Sequence, residues 1–328
     1  TTSATNETCD YLNNGSATVT QTGGTAAYSY SWQPGGQTSA AITNQASGTY
    51  TAIVTDSKGC IATAIATITE PAPLVVNFVN QINVSCFGGS NASVGASVGG
   101  GTPNYTYSWS PGGTTNSTIN TIPIGTYTVR VTDSQACIAT NTVIIIQPTD
   151  IVTTATVTHV SCNGGSNGTI SLTPSGGTSP FTYFWPASGQ TTSSVTGLPA
   201  GNFSVNVTDN NGCVKTYSYA VTQPASITIA TTQTNVSCFN GSNGIANTIA
   251  SGGTPAYSYS WAPSGGSSQN ATGLIAGIYT LTVRDNFSCT ATSTVAITQP
   301  TVLVATTSAT NETCDYLNNG SATVTQTG

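Results

Sequence analysis

Charged residues are scarce in this sequence. Only 4% of its 328 residues are Asp, Glu, Lys or Arg, against about 25% in an average soluble domain. Four Lys and Arg against ten Asp and Glu leave a net charge of −6, so no basic surface for nucleic acid is expected. The polar surface must consist mainly of uncharged Ser, Thr, Asn, Gln and Gly.

Other common features are missing as well. The sequence contains no methionine, no apolar run of the ~20 residues that a membrane-spanning helix needs, and no signal peptide. Residues 1–23 recur letter for letter as residues 306–328. A 305-residue unit therefore begins again within the sequence, and we expect an interior piece of a longer protein.

Catalytic and metal-binding patterns are also missing. The single histidine is His159, no CxxC pair occurs, and no two carboxylates recur together in the repeats. Catalysis needs a positioned nucleophile, base or metal, and zinc needs closely spaced ligands. We therefore expect no enzymatic activity and no cofactor, and we interpret His159 as a tolerated strand residue.

What the sequence does contain is a module repeated four times. In each copy a tryptophan lies 23 positions after the first cysteine, and a second cysteine lies 51 positions after the first cysteine. The module recurs every 76 or 77 residues. Such a period predicts an array of similar small domains. The predicted domains are module 1 at 1–70, with a truncated start, module 2 at 71–147, module 3 at 148–223, module 4 at 224–299, and the start of a fifth module at 300–328.

The evenly spaced cysteines predict disulfide bonds rather than a metal site. Because each module has two cysteines, we predict bonds within modules: Cys9–Cys60, Cys86–Cys137, Cys162–Cys213 and Cys238–Cys289, with Cys314 bonded to a partner beyond the end of the sequence. Closing such a loop would stabilise each module by ~4 kcal/mol. Disulfides persist outside the cytosol, so a secreted protein is expected.

Short runs of alternating apolar and polar residues predict β-strands, and helical periodicity is nearly absent. In the segment YTYSW, for example, Tyr105, Tyr107 and Trp109 share one strand face. Three aromatic side chains on one face predict the centre of a sandwich core. The expected fold is all-β, with tandem Ig-like, Greek-key sandwiches of about seven strands in a rod-like array. The predicted core residues are Trp32, Trp109, Trp185, Trp261, Tyr50, Tyr127, Phe203 and Tyr279.

Two turn signals recur in every module. A Gly-Gly pair, 14 and 15 residues past the first cysteine, predicts a turn with positive φ. An aspartate stands four residues before each second cysteine, at Asp56, Asp133, Asp209 and Asp285. These aspartates are candidate calcium ligands, but Ca²⁺ takes 6–8 oxygens and no second acidic residue recurs nearby. We therefore favour turn capping over metal binding.

A proline marks each joint between modules. Apolar residues of the next module begin two to three positions after Pro71, Pro148, Pro224 and Pro300. Proline restricts its own φ and the conformation of the residue before it. We therefore predict short, stiff joints and no flexible tether.

Several phrases resemble the SprB repeats of very large surface adhesins of gliding Bacteroidota. They are VSCFGGSN (84–91), VSCNGGSNG (160–168), GGTPNYTYSW (100–109), GTYTVRVTD (125–133), AGNFSVNVTDNNGC (200–213) and the closing TQP of modules 3 and 4. The resemblance covers essentially the whole chain. Module 1 departs from it with TCDYLNNG (8–15), although Asn14 keeps the asparagine found five residues after the cysteine.

The resemblance implies an Ig-like extracellular array that the type IX secretion system exports. It also implies a cell-surface adhesin filament or stalk that supports attachment and gliding motility. Two alternatives stay open: a structural extracellular filament or sheath, and a carbohydrate-binding repeat array.

The expected partners follow from this hypothesis. They are neighbouring modules of the same chain, other copies in a filament, surfaces or polysaccharides, and, by family resemblance, the secretion and gliding machinery. Nucleic acid and a membrane span in this segment are not expected.

Overall fold

The computed structural model of the protein describes residues 1–316 and 318–328. These residues form 26 β-strands and no helix. Accordingly, none of the described residues belongs to a helix long and apolar enough to cross a membrane.

Modules 1 and 2 each contain six strands. Module 1 comprises β1 (Thr2–Thr5), β2 (Gly15–Val19), β3 (Ser29–Gln33), β4 (Ala41–Gln45), β5 (Gly48–Thr55) and β6 (Ile61–Ile68). Module 2 comprises β7 (Val75–Ile82), β8 (Ala92–Gly99), β9 (Thr106–Ser110), β10 (Thr118–Ile122), β11 (Gly125–Thr132) and β12 (Ile138–Ile145).

Modules 3 and 4 repeat this order. Module 3 comprises β13 (Val152–Thr158), β14 (Gly168–Ser175), β15 (Thr182–Phe184), β16 (Ser194–Leu198), β17 (Gly201–Thr208) and β18 (Val214–Val221). Module 4 comprises β19 (Thr228–Thr234), β20 (Gly244–Ser251), β21 (Ser258–Ala262), β22 (Ala271–Leu274), β23 (Gly277–Arg284) and β24 (Thr290–Ile297). A final hairpin, β25 (Val304–Thr310) and β26 (Ser321–Thr327), follows.

Each module is a sandwich of two three-stranded sheets. In module 1 one sheet has the order β1-β2-β4 and the other β3-β5-β6, and all neighbouring strands are antiparallel. Along the chain, β1 and β2 therefore lie in one sheet, β3 in the other, β4 in the first sheet again, and β5 and β6 in the second. This exchange of strands between two sheets is the Ig-like arrangement, and the same order recurs in modules 2, 3 and 4.

The two sheets enclose a core centred on the tryptophan. In module 2 the buried cluster includes Val94 of one sheet and Trp109, Tyr127 and Val129 of the other. Trp109 is 1% exposed, while Tyr105 and Tyr107 on the same strand face are partly buried around it. The alternation in YTYSW therefore places its aromatic residues against the core, as the period of two requires.

The prediction of about seven strands per module is wrong, because each module has six. In module 1, residues 34–40 connect β3 to β4. Those residues form a tight turn, in which the N–H of Trp32 donates to the Gln37 carbonyl and the N–H of Gly36 to the Trp32 carbonyl. The chain therefore passes directly from β3 to β4 in this module.

The chain divides into two compact units. The first contains residues 1–152, 176–180 and 209–213, and the second contains 153–175, 181–208 and 214–328. Two turns of module 3 therefore belong to the first unit, where the Asn211 side chain donates to the carbonyl oxygen of Ser85 in module 2. The domain boundaries drawn from the repeat stay predictions.

Candidate functional site

The predicted core residues lie inside the sandwiches and serve structure. Each indole N–H donates to a backbone carbonyl seven residues later, as in Trp32 to Ser39 at 2.9 Å and Trp109 to Asn116 at 3.0 Å. Trp185 and Trp261 repeat this bond. The four tryptophans are at most 5% exposed, so their rings are buried away from solvent.

The aromatic residue two positions after the glycine that begins β5, β11, β17 and β23 also packs inward. The hydroxyls of Tyr50, Tyr127 and Tyr279 each donate to the carbonyl four residues earlier, at 3.0–3.1 Å. Phe203 has no hydroxyl and is only partly buried. In module 3 the aromatic ring at this position is therefore held by packing without this hydrogen bond.

Each recurring aspartate caps the turn before the second cysteine. In module 2, Asp133 Oδ1 accepts from the N–H groups of Gln135 and Cys137 at 2.9 Å, and Oδ2 accepts from the N–H of Thr102 at 2.8 Å. Asp56, Asp209 and Asp285 make the equivalent three bonds. The carboxylate therefore bonds the Gly-Gly loop to the cysteine turn.

These bonds change the acidity of the aspartates. Burial alone would raise the pKa of the Asp133 carboxyl, but the three N–H donors hold its pKa below the usual value of 3.8. The N–H groups of Thr25 and Thr254 are the main cause of the lowered pKa of Asp56 and Asp285. Among the described residues, no group of three His, Cys, Asp or Glu could hold a metal ion.

The predicted disulfide pairing within modules is wrong. The bonds instead join the first cysteine of one module to the second cysteine of the next: Cys9–Cys137, Cys86–Cys213 and Cys162–Cys289, with Cα–Cα distances of 5.5–5.7 Å. The predicted bonds Cys9–Cys60, Cys86–Cys137, Cys162–Cys213 and Cys238–Cys289 are absent. Cys60, Cys238 and Cys314 are free and exposed.

The position of each cysteine in the sandwich explains the correction. Cys9 lies beside the end of β6, where the N–H of Glu7 donates to the Thr69 carbonyl. Cys60 precedes the first residue of β6. The eight residues of β6 span ~26 Å at ~3.3 Å each, whereas disulfides need Cα atoms within ~7 Å. The two cysteines of a module therefore lie at opposite ends and can only bond to neighbours.

The loop that contains the first cysteine is fixed by two side chains. In module 2, Asn91 Oδ1 accepts from the N–H of Ser85, and its Nδ2 donates to the Ser85 hydroxyl. The side-chain oxygen of Gln147, in the closing Gln-Pro, accepts from the N–H of Gly88. In the other modules the role of Asn91 is taken by Asn14, Asn167 and Asn243. The role of Gln147 is taken by Glu70, Gln223 and Gln299. The recurring asparagine therefore orients the cysteine.

The Gly-Gly turn receives the linker between modules. Gly100 and Gly101 have φ of +68° and +61°, and the N–H of Gly101 donates to the Ala72 carbonyl at 2.7 Å. A Cβ on Gly100 would lie 1.9 Å from the Pro73 carbonyl oxygen. The same close approach occurs at Gly176 and Gly252. The glycine pair thus serves the joint as well as the predicted turn.

His159 has a structural role. Its Nδ1 accepts from the N–H of Thr222 at 3.1 Å. In the other modules the side-chain oxygen of Asn6, Asn83 or Asn235 accepts the equivalent hydrogen bond. His159 replaces an asparagine as the hydrogen-bond acceptor, but it lies one position beyond the end of β13, so its interpretation as a strand residue is wrong.

Exposed aromatic residues beside the first cysteines were missed by the sequence analysis. Tyr11, Phe87 and Phe239 are 78%, 54% and 45% exposed, and each follows the first cysteine of its module by one or two positions. Asn163 takes this position in module 3. Their nearness to a cysteine on a polar loop is the signal that could have separated them from the core aromatics.

Comparisons with known proteins agree with the repeated architecture. Residues 1–37, 79–114, 154–189 and 230–266 match the SprB repeat, and each segment includes the first cysteine and the tryptophan of its module. A comparison with curated proteins finds no match.

Among solved structures, the chain is similar to immunoglobulin domains 1–5 of Sidekick-1. The identity is 12% and the TM-score 0.32, over 83% of this chain and 74% of that chain. The N-terminal eight Ig domains of the Down Syndrome Cell Adhesion Molecule match with 11% identity and a TM-score of 0.32, over 92% and 60% of the two chains. Domains 1–6 of the surface layer protein SbsC match with 14% identity and a TM-score of 0.25, over 91% and 58%. The SprB repeat therefore matches one segment in each of the four modules.

Proposed function

We propose that this array is part of an extracellular cell-surface filament that carries mechanical load during attachment and gliding. The observation that carries the proposal is that the disulfides bond successive modules. The modules contribute length and contact surface rather than catalysis. Export by the type IX secretion system and movement by the gliding machinery are what the SprB repeats imply for such a filament.

The disulfide pattern supports the load-bearing role because it shortens the covalent path. Tension between Cys9 and Cys289 can pass through two S–S bonds and the 25 residue steps from Cys137 to Cys162. At ~3.5 Å per residue this path extends to at most ~90 Å. The 280 residue steps from Cys9 to Cys289 would extend to roughly 980 Å without the bonds.

The composition and the cysteines support an extracellular location. Structural disulfides are stable in oxidising compartments and rare in the cytosol. The low charge leaves little electrostatic repulsion between the filament and other surfaces.

Single-molecule force spectroscopy tests the load-bearing part of this proposal. The full chain is pulled from its two ends before and after reduction and alkylation of the disulfides. We expect the oxidised chain to resist extension of residues 9–289, and the reduced chain to lengthen by several hundred ångströms in steps as modules unfold. Equal extension of both forms would contradict the proposal.

Attachment needs a separate assay. Beads that carry the oxidised chain are allowed to settle on glass and agar and are then exposed to increasing flow, with albumin-coated beads as the control. We expect the chain to retain beads at shear stresses that remove the control beads. Retention equal to that of albumin would argue against an adhesive role.

A carbohydrate-binding function is the second candidate, and the exposed rings of Tyr11, Phe87 and Phe239 favour it, since sugars stack on flat aromatic faces. The test is binding of the oxidised chain to a glycan array. Replacement of these three residues by alanine should abolish any signal, whereas replacement of Phe287, which is 56% exposed at the opposite turn, should preserve it.

A further inference from the structure

Seven asparagines in this chain are followed directly by glycine. They are Asn14, Asn163, Asn167, Asn211, Asn240, Asn243 and Asn319. An asparagine in this dipeptide loses its side-chain amide readily, because glycine has no Cβ to hinder attack by its backbone nitrogen on the asparagine side chain. The surroundings of each pair in the folded protein therefore decide which asparagines react.

Four of the seven asparagines are held by two hydrogen bonds, in which Oδ1 accepts from a backbone N–H and Nδ2 donates to the hydroxyl of the same residue. They are Asn14, Asn167, Asn243 and Asn319. The glycine after each of the first three begins a strand and is buried, so we expect slow reaction there. Asn240 is exposed, and the described residues include no hydrogen-bond partner for its side chain, so no contact depends on its amide.

Asn211 lies at the junction of modules 2 and 3. Its Nδ2 donates to the Ser85 carbonyl oxygen at 3.0 Å and to the Thr178 hydroxyl at 3.1 Å. Asn211 and Gly212 are both exposed, and a Cβ on Gly212 would have no neighbour within 4 Å. The amide that the reaction would remove is therefore the one that bonds this junction, and solvent can reach it.

Asn163 has the same relationship to the junction of modules 3 and 4. Its Nδ2 donates to the Pro224 carbonyl oxygen at 3.0 Å, and Cys162 beside it is bonded to Cys289. Asn163 and Gly164 are exposed, and a Cβ on Gly164 would have no neighbour within 4 Å. Both junctions of module 3 thus depend on the side-chain amide of an exposed Asn-Gly pair.

We propose that Asn163 and Asn211 are deamidation sites and that loss of ammonia from them loosens the two junctions of module 3. The positions equivalent to Asn211 in the other modules are Lys58, Gln135 and Phe287, so the reactive pair at this turn belongs to module 3. The modification does not depend on whether the array carries load or binds a surface.

The reaction balances with water as its co-reactant. The Gly212 N–H first leaves the Asp209 carbonyl oxygen to which it donates. The Gly212 nitrogen then loses its proton and bonds to Cγ of Asn211, and the Cγ–Nδ2 bond breaks as the amide nitrogen takes up a proton and leaves as ammonia. Water opens the resulting cyclic imide at one of its two carbonyl carbons, which gives aspartate or isoaspartate.

Both products disturb the junction. A carboxylate has no N–H to donate to the Ser85 carbonyl, and it places a negative charge against that oxygen instead. Isoaspartate also adds a side-chain carbon to the backbone between the N–H groups of Asn211 and Cys213, from which Asp209 Oδ1 accepts at 2.9 Å. The turn that carries the disulfide-bonded Cys213 is therefore altered as well.

Ageing of the oxidised full chain tests the two sites. The chain is kept in warm, mildly alkaline buffer, sampled over weeks and digested, and tandem mass spectrometry locates aspartate and isoaspartate. We expect Asn163 and Asn211 to convert before Asn14, Asn167 and Asn243, whereas the reduced, denatured chain should convert all five at similar rates. Conversion of Asn163 and Asn211 no faster than that of Asn167 in the folded chain would overturn the proposal.

Gly212→Ala is the matched variant for the reaction. Ala136 takes this position in module 2 with φ of +68°, so the turn accommodates alanine, while the added methyl group hinders attack on Asn211. We expect slower conversion of Asn211 and unchanged conversion of Asn163 in the same molecule. Equal conversion of Asn211 with glycine and with alanine would contradict the imide route.

Asn211→Asp tests the consequence for the junction. Reduction of a disulfide depends on access to its sulfur atoms, so dithiothreitol followed by alkylation and mass spectrometry compares two bonds within one molecule. We expect Cys86–Cys213 to be reduced about two- to tenfold faster than in the unchanged chain, the range for loss of one hydrogen bond. Cys162–Cys289 should keep its rate. An unchanged rate for Cys86–Cys213 would show that deamidation does not loosen the junction.

Discussion

The carbonyl oxygen of Ser85 lies 3.4 Å from the sulfur of Cys213, although the two residues are 128 positions apart. The same relationship joins Thr8 to Cys137 at 3.3 Å and Ser161 to Cys289 at 3.4 Å. In each case the second-cysteine turn of one module lies against the first-cysteine loop of the module before it. Each of the three disulfides therefore joins two adjacent modules rather than two parts of one module.

Tryptic digestion in denaturant, without reductant, should report the junction pairing. Cleavage after Lys58, Arg130, Lys215 and Arg284 gives five fragments: 1–58, 59–130, 131–215, 216–284 and 285–328. We expect fragments 1–58, 59–130 and 285–328 each to remain bonded to fragment 131–215, and fragment 216–284 to be released. Mass spectrometry of the digested monomer measures this. A disulfide between fragments 1–58 and 59–130 would instead indicate bonding within modules.

Cys137→Ser should destabilise the first unit. It removes a bond that spans 128 residues, and loss of a disulfide of this kind typically costs ~2–5 kcal/mol. Thermal and denaturant unfolding followed by tryptophan fluorescence would measure the change. Cys60→Ser is the matched control, because Cys60 is the second cysteine of module 1 but is free and exposed, and it should shift the free energy of unfolding by less than about 0.5 kcal/mol.

Gly100→Ala tests the packing of the linker on the glycine turn. Alanine at a positive φ costs ~1–2 kcal/mol, and its Cβ would also overlap the Pro73 carbonyl oxygen. Gly23 has a φ of +80°, and a Cβ there would have no neighbour within 4 Å. Gly23→Ala should therefore carry only the cost of a positive φ. We expect Gly100→Ala to reduce the free energy of unfolding by at least ~1 kcal/mol more. Equal losses in both variants would mean that the linker does not depend on the glycine.

Acid should weaken the aspartate-capped turns. The folded-state pKa of Asp133 lies below its usual value of 3.8, so its contribution is present above the unfolded pKa and is lost as the pH falls through the folded pKa. Asp133→Asn should therefore lower the melting temperature at pH 7 and have a smaller effect near pH 2. Calorimetry from pH 7 to pH 2 measures this, with Asp315→Asn on the exposed final hairpin as the control. An effect of Asp133→Asn that does not depend on pH would contradict the role of its charge.

Much of the fold could be predicted from local patterns. The strand with Tyr105, Tyr107 and Trp109 was predicted because a period of two places every second side chain on one face. The turn with Gly100 and Gly101 was predicted because two residues with positive φ favour glycine. The number of strands was overestimated: Ig-like sandwiches suggested about seven strands, and each module has six.

The sequence alone determined that this chain is a repeated, nearly uncharged β protein with evenly spaced cysteines, because composition, period and alternation can be read directly from the order of residues. Only the tertiary structure decided which cysteines meet. The constant spacing of 51 positions within modules is matched by a nearly constant spacing of 127 or 128 positions between modules, so the pairs Cys86–Cys137 and Cys86–Cys213 both fit the repeat. The length of an eight-residue strand separates the cysteines of one module, and only the packing of the next module against its end brings a partner within bonding distance.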